Sequence, residues 1–258
     1  MNKLRVLDLF SGIGGFSLGL ERAGRFRTVA FCEIEPYCRA VLKKHWPDVP
    51  CFEDVRTLTA TNVGAADVIC GGFPCQDISN AGHRAGIEAE RSGLWGEYFR
   101  LICELRPRYV IVENVAALVQ RGLERVLGDL ASVGYDAEWH CISAAHIGAA
   151  HIRDRIWIMA YPGQEHRLVE LSEHGQSPKV EGGKGQARPP SLQDGNELSL
   201  GRENFGRWWT NQSPVCGMAD DVPGRLDRLG ALGNTIVPAF PEIIGRAILE
   251  AEGMTRRA

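Results

Sequence analysis

The chain has 258 residues, 44% of them hydrophobic and 24% charged, which fits one large globular domain or one domain with a smaller lobe. Its formal net charge of −3 argues against a protein held on nucleic acid by bulk charge, and leaves a local basic face open. No apolar run approaches the roughly 20 residues of a membrane span, and the opening MNKLRVLDLF lacks a long apolar signal core, so the expectation is a cytoplasmic protein with no membrane partner.

Short apolar runs alternate with helix-like segments over the first ~160 residues. RVLDLF (5–10) reads as a buried strand. SGIGGFSLGLERAG then turns on glycines into a helix with Phe16, Leu20 and Ala23 on one face. TVAFCEI (28–34) is a second strand, and PYCRAVLKKHW a helix with Pro36 in its first turn. DVIC (67–70) reads as a strand, LWGEYFRLICEL as a helix, and YVIVENV (109–115) as a strand with its polar residues at the carboxyl end. ALVQRGLERVLGDLASVG reads as one helix stopped by Gly134, and EWHCIS and RIWIMAY as further strands. This alternation predicts an α/β fold with a doubly wound, mostly parallel sheet.

The character changes after Tyr161. From Pro162 to about Arg207 the chain is polar, rich in Gly, Pro, Ser, Glu and Gln, and shows no period. It reads either as a surface loop or as a small lobe that orders on its ligand. GRWWTNQSPV follows, and ALGNTIVPAFPEIIGRAILEAEG closes the chain with a turn and a helix from about Pro241. The expected organisation is a main domain of residues 1–161 plus 224–258 and a small irregular lobe of residues 162–223.

None of the eight cysteines pairs as C-x-x-C, and no Cys/His cluster has zinc-ligand spacing, so no metal is expected and most thiols should be buried and inert. The glycines Gly12, Gly14 and Gly15 follow a strand and open a helix, and Glu33 ends the next strand 19 residues after Gly14. That is where an acid accepts from ribose hydroxyls, so a nucleoside-containing cofactor is expected. The dinucleotide spacing G-x-G-x-x-G is not met, and no Walker A lysine follows. Asp54, near the end of a third edge element, reads equally as an acceptor for an adenine amine or as a helix N-cap. Cys75, in GGFPCQDIS, sits in a loop at a strand's carboxyl end, on the same rim as the glycines, Glu33, Glu113 and Asn114. Arg153 and Arg155 alternate in HIRDRIW, suited to phosphate or base contact or else to pairing with acids on an exposed strand.

The motifs DLFSGIGGF, GGFPCQDIS, VENV, HIRDRIW and ALGNTIVPAF stand in the order and rough spacing of the DNA cytosine-5 methyltransferases, and over about residues 4–160 and 225–250 the chain resembles a short bacterial or phage-type member. The resemblance implies a Rossmann-like, S-adenosylmethionine-dependent methyltransferase acting on cytosine C5 in double-stranded DNA. By that resemblance Cys75 attacks C6, Glu113 bonds N3, Asn114 fixes Glu113 or the loop backbone, and Arg153 and Arg155 complete the catalytic set. Phe10, Gly12 and Gly14 line the cofactor pocket, Glu33 bonds the ribose, Ile34 flanks the adenine, Asp54 bonds its amine, and Pro74, Leu94, Asn234 and Ile236 complete the walls. Residues 79–93 match a mobile loop that closes over the flipped base, and the resemblance places Ser79, Arg84 and Arg91 of that loop, and Gln76 just before it, on the DNA. The lobe of 162–223 stands where the family reads its target sequence, with Trp208 and Trp209 among the candidates; so small a lobe implies weak or short-site specificity.

The family usually has Gln where this chain has His151, which leaves the role of that side chain open. The expected partners are double-stranded DNA and a cognate restriction endonuclease, with a monomer as the expected state. Other readings are a catalytically silent DNA-binding protein, an RNA methyltransferase, and an unrelated thiol enzyme, for which His83 is the only base near Cys75 in sequence.

Overall fold

A computed structural model of the chain describes residues 2–74, 93–147, 153–163 and 235–254. The strands are β1 (Leu4–Leu9), β2 (Phe26–Cys32), β3 (Cys51–Phe52), β4 (Val68–Gly71), β5 (Tyr109–Val115), β6 (Tyr135–Ser143) and β7 (Asp154–Pro162). They form one sheet in the order β3-β2-β1-β4-β5-β7-β6. The helices are α1 (Gly15–Ala23), α2 (Pro36–His45), α3 (Ala60–Val63), α4 (Leu94–Leu105), α5 (Leu118–Arg121), α6 (Leu123–Ser132) and α7 (Ala239–Ala251). The five strands β3 to β5 in this order run parallel, whereas β7 is antiparallel to β5 and to β6.

The central strands are apolar on both faces because helices cover both. In β1, Leu7 and Leu9 pack with Ile69, Val110, Val112, Trp95, Tyr98 and Leu101, while Leu4 and Val6 pack with Phe16, Leu20, Phe240 and Ile248 on the other side. Truncating one of these fully buried side chains, as in Leu7→Ala, costs about 2–5 kcal/mol. The chain leaves β1 toward β2 on one side, and β4 lies on the other, so the carboxyl ends of β1 and β4 flank the crevice where sheets of this kind bind ligands.

Helix α7 returns to pack on α1, and small residues set how closely it does so. A Cβ added at Gly15 would stand 2.3 Å from the Ile236 carbonyl oxygen, and one at Gly19 would stand 2.2 Å from that of Pro238. At Gly245 it would meet the Ala23 Cβ at 2.8 Å. The closing segment is thereby seated beside the glycine turn that follows β1.

Two expectations change. The single helix expected across Gly122 is two helices, α5 and α6. Leu118 and Leu123 are both buried, yet five residues of regular helix would turn them about 140° apart, so the helix breaks to bury both. The closing helix starts at Ala239 rather than at about Pro241, which sits in the first turn where a missing N–H costs little. The chain divides into two units, residues 1–163 with 219–258 and residues 164–218. The second unit, and with it residues 164–223 of the expected lobe including Trp208 and Trp209, lies outside the described residues, whereas Pro162 ends β7. Among the described residues no helix is long and apolar enough to cross a membrane, and no group of His, Cys, Asp and Glu could hold a metal ion.

Candidate active site

The glycine turn after β1 is held open by its backbone. Phe10, Gly12 and Gly14 all have positive φ, of 53°, 54° and 88°. At Gly12 none of the described residues lies within 4 Å of where a Cβ would stand, which leaves clearance for a ligand against the backbone. The turn is pinned to the end of β2 by Glu33, whose Oε2 accepts from the Gly12 N–H at 2.6 Å and whose Oε1 accepts from the Glu35 N–H at 2.8 Å. Glu33 is buried, and its carboxylate keeps lone pairs for further donors. Beside it Ile34 is 64% exposed, an apolar surface at the mouth of the crevice.

Asp54 follows β3 and caps a short 3₁₀ helix (Val55–Thr57), accepting from the Arg56 N–H at 2.9 Å. The Arg56 guanidinium also grips both carboxylate oxygens, at 3.0 Å and 2.7 Å, and these bonds hold the carboxyl below its usual range. The capping geometry is therefore realised. The Arg56 side chain is 65% exposed, so it can yield to another donor at small cost.

One member of this turn escaped the sequence reading. Asp8 in β1 is fully buried, and its Oδ2 accepts from Ser17 Oγ at 2.7 Å and Ser17 N at 3.2 Å. Helix α1 has Gly14 at its N-cap and so lacks a capping side chain of its own; Asp8 satisfies one of its free N–H groups from the neighbouring strand. Among the described residues Oδ1 has no hydrogen-bond partner, and burial pushes the carboxyl up to about 7. The signal available was an acid inside an apolar strand, since acids are almost never fully buried unless they are paired.

The second half of the crevice lies between β4, β5 and β7. Glu113 and Asn114 stand near the carboxyl end of β5 and point to opposite faces of the sheet. Asn114 Nδ2 donates to the Phe73 carbonyl at 3.0 Å and so fixes the backbone of the loop that leaves β4. On the other face Glu113 Oε1 pairs with Arg155 Nε at 2.9 Å. Glu113 is buried, and burial raises its carboxyl above the usual range against the opposing pull of Arg155 and then Arg153. Burial lowers the Arg153 guanidinium, helped by Arg155 and opposed by Glu113. Both arginines therefore face Glu113. A cavity of about 10 Å³, room for one water, is lined by Glu113, Arg153, Arg155, Trp157, Thr235 and Ile236 among others. Thr235 and Trp157 were missed as site residues; Thr235 stands next to Asn234 and Ile236, and Trp157 two residues after Arg155, all of which the sequence did single out. A Cβ at Gly72 would come within 2.6 Å of Glu113 Oε2, so that glycine gives the carboxyl its place.

Of the remaining candidates, Pro74 is exposed at the end of the described loop, Leu94 opens α4 half-buried against the core, and Ile236 lies half-buried on Gly15. Cys75, Gln76, Ser79, Arg84, Arg91 and Asn234 lie outside the described residues, as does His151.

Two clusters thus share one rim: a ligand-ready turn braced by an acid, and a buried carboxyl faced by two arginines. The family model for C-5 cytosine-specific DNA methylase matches residues 4–210. The chain belongs to this family. Among curated relatives it is 30% identical over 254 residues to the Type II methyltransferase M2.BsuMI of Bacillus subtilis, covering 94% of this chain and 61% of the relative. It is 35% identical over 199 residues to M.HgiBI of Herpetosiphon aurantiacus, covering 70% and 45%. The chain spans about half the length of the curated relatives it matches. Among solved structures, a prophage-encoded E. coli protein described as a DNA modification methyltransferase superposes with a TM-score of 0.54 at 29% identity, over 64% of this chain and 48% of that one. Spodoptera frugiperda DNMT2 superposes with a TM-score of 0.54 at 20% identity, over 63% and 51%, a likeness of fold. The doubly wound, mostly parallel sheet expected from the sequence is thus the fold of this family.

Proposed function

We propose that the chain transfers a methyl group from S-adenosylmethionine to C5 of cytosine in double-stranded DNA, as a modification enzyme of a restriction system or of a phage. The observation that carries this reading is the buried Glu113 faced by Arg153 and Arg155 beside the loop that leads from β4 to Cys75. The residues at the other end of the rim fit the cofactor: Glu33 offers acceptors for ribose hydroxyls, Ile34 an exposed apolar face for adenine, Gly12 clearance, and Asp54 a carboxylate for the adenine amine. Phe10, Gly14, Pro74, Leu94, Asn234 and Ile236 complete the proposed pocket. When bound, the cofactor supplies an electrophilic methyl group.

Cytosine C5 is a poor nucleophile until the ring is activated. The Cys75 thiolate adds to C6, forming a C–S bond and pushing the ring electrons toward N3 and C5. Glu113, kept protonated more readily by its burial, holds a proton at N3 and so stabilises the charge that develops there. Arg155 holds the Glu113 carboxyl in place, and Asn114 holds the Phe73 carbonyl two residues before Cys75. Once C5 has bonded the methyl group, a base or water takes the C5 proton, the C–S bond breaks, the sulfur leaves as the Cys75 thiolate and the aromatic ring is restored. The target base must leave the duplex to reach Cys75, at a cost of a few kcal/mol. Gln76, Ser79, Arg84 and Arg91 are the proposed DNA contacts on the loop that follows, and residues 162–223, with Trp208 and Trp209, the proposed target-recognition lobe. A cognate restriction endonuclease is the proposed partner, and a cytoplasmic monomer the proposed working state.

The test is transfer of labelled methyl from S-adenosylmethionine to duplex DNA and to tRNA in parallel, followed by sequencing of the modified cytosines. Label on C5 of DNA cytosine at a short motif supports the reading. Label on RNA alone, or on N4 or adenine, overturns it.

A further inference from the structure

The crevice poses a mechanical question. The loop after β2 carries Glu33 and Ile34, yet Ile34 is 64% exposed and Glu35 and Pro36 are exposed as well. Burial therefore does little to hold this loop, and hydrogen bonds must. The Glu33 N–H donates to the Phe52 carbonyl at 2.9 Å, which ties the loop's start to β3. Beyond Glu33 the carbonyls of Glu33 and Ile34 precede the first helical acceptor, Glu35, so helix α2 itself does not engage them. Among the described residues a single side chain does. Arg39, one turn into α2, donates from Nη1 to the Glu33 carbonyl at 3.2 Å and to the Ile34 carbonyl at 2.5 Å. Its Nη2 pairs with Glu53 at 2.9 Å, next to Asp54 on the loop after β3. The Arg39 side chain is 23% exposed, whereas Glu53 is 72% exposed, so the two carbonyl bonds carry more than the ion pair.

We propose that Arg39 is a positioning residue for the nucleoside end of the cofactor site, its guanidinium clamping the loop that carries Glu33 and Ile34 and tying it to the loop that carries Asp54. This rests on the cofactor reading above. The planar guanidinium is well shaped for such a clamp, because two donors of fixed geometry meet two loops at once, which a point charge on a flexible stem does poorly. Arg39 acts through Glu33 and Ile34. Its loss therefore loosens the pocket without removing a ligand contact and leaves the Glu113 end of the rim untouched.

The experiment compares the wild-type chain with Arg39→Ala and Arg39→Lys, using S-adenosylhomocysteine as the probe in calorimetry and amide hydrogen exchange on the ligand-free proteins. Arg39→Ala should weaken S-adenosylhomocysteine about tenfold, the scale of one charged hydrogen bond. Arg39→Lys should recover part of that loss, and the affinity for duplex DNA should stay unchanged. Exchange should quicken at Glu33, Ile34 and Glu35 in Arg39→Ala while the amides of β4 and β5 keep their protection. Wild-type affinity in Arg39→Ala, or unchanged exchange at residues 33–35, overturns the clamp, and so does a loss of protection across the whole sheet. A wild-type chain that fails to bind S-adenosylhomocysteine contradicts the cofactor reading instead, and the exchange comparison then decides the clamp by itself.

Discussion

Arg155→Gln separates the pairing of Glu113 from the general stability of the sheet. The wild-type Glu113 is 8% exposed and is held by the Arg155 Nε at 2.9 Å. Leaving a buried charge without its partner costs about 3–5 kcal/mol. Arg155 keeps 24% of its side chain in water and Arg153 still faces the carboxyl, so about 2 kcal/mol is the expected loss here. The loss must depend on pH, with a definite sign. Burial raises the Glu113 carboxyl above its ordinary value, so its contribution to stability is full at low pH and is lost as pH rises through the raised value. Removing Arg155 raises it further. Urea unfolding at a higher and a lower pH should therefore show a deficit that shrinks at the lower one, because protonation of Glu113 there removes the uncompensated charge. Adding Glu113→Gln to Arg155→Gln should recover most of the deficit at the higher pH. An equal loss at both pH values, or no recovery in the double variant, would refute the argument that an uncompensated carboxylate is the cause.

Other outcomes follow from the same rim. Asp8 rises from 3.8 to about 7 in the fold, so wild-type stability should fall by up to about 4 kcal/mol as pH rises from about 4 to 7. Asp8→Asn keeps an acceptor for Ser17 and should remove that component, which paired unfolding curves across the window will show. Gly15→Ala forces a Cβ to 2.3 Å from the Ile236 carbonyl oxygen and should destabilise by about 1–3 kcal/mol in a thermal scan. Gly128→Ala on α6, where a Cβ meets none of the described residues within 4 Å, should stabilise by about 0.5–1 kcal/mol in the same scan. Glu33→Gln keeps the shape but loses the charge that accepts from Gly12 N–H, and should weaken S-adenosylhomocysteine about tenfold in calorimetry.

The parts of the fold that rest on local pattern were legible in the sequence. Helix α4 spans the stretch read from its apolar spacing, because Trp95, Tyr98, Leu101 and Ile102 all fall on its buried face. Strand β5 likewise matches YVIVENV, and the Glu-Asn pair stands near its carboxyl end as expected. What the sequence hid is contact across distance. Asp8 and Ser17 are nine residues apart with a turn between them, and nothing in either neighbourhood announces the bond. Asp54 offered two readings of equal weight, and its capping bond to the Arg56 N–H is visible only in the structure. The carbonyls that Arg39 holds have no residue signature at all, since every residue carries one. Gly122 looked like a tolerated helix residue because a helical pattern alone does not say that Leu118 and Leu123 must both be buried. The convergence of Arg153 and Arg155 on Glu113 was half visible: their alternation put them on one side of a strand, but the antiparallel pairing of β7 with β5 was needed to bring that side to the carboxyl.

The central claim is that Cys75 adds to cytosine C6 on the rim that Glu113 and the glycine turn define. Duplex DNA carrying 5-fluorocytosine tests it most directly, because fluorine at C5 cannot leave as a proton does and the covalent adduct is trapped. The account predicts a stable protein–DNA adduct that requires S-adenosylmethionine and is lost in Cys75→Ser. No adduct with the wild-type chain on DNA that it methylates, or an adduct that survives Cys75→Ser, would contradict it.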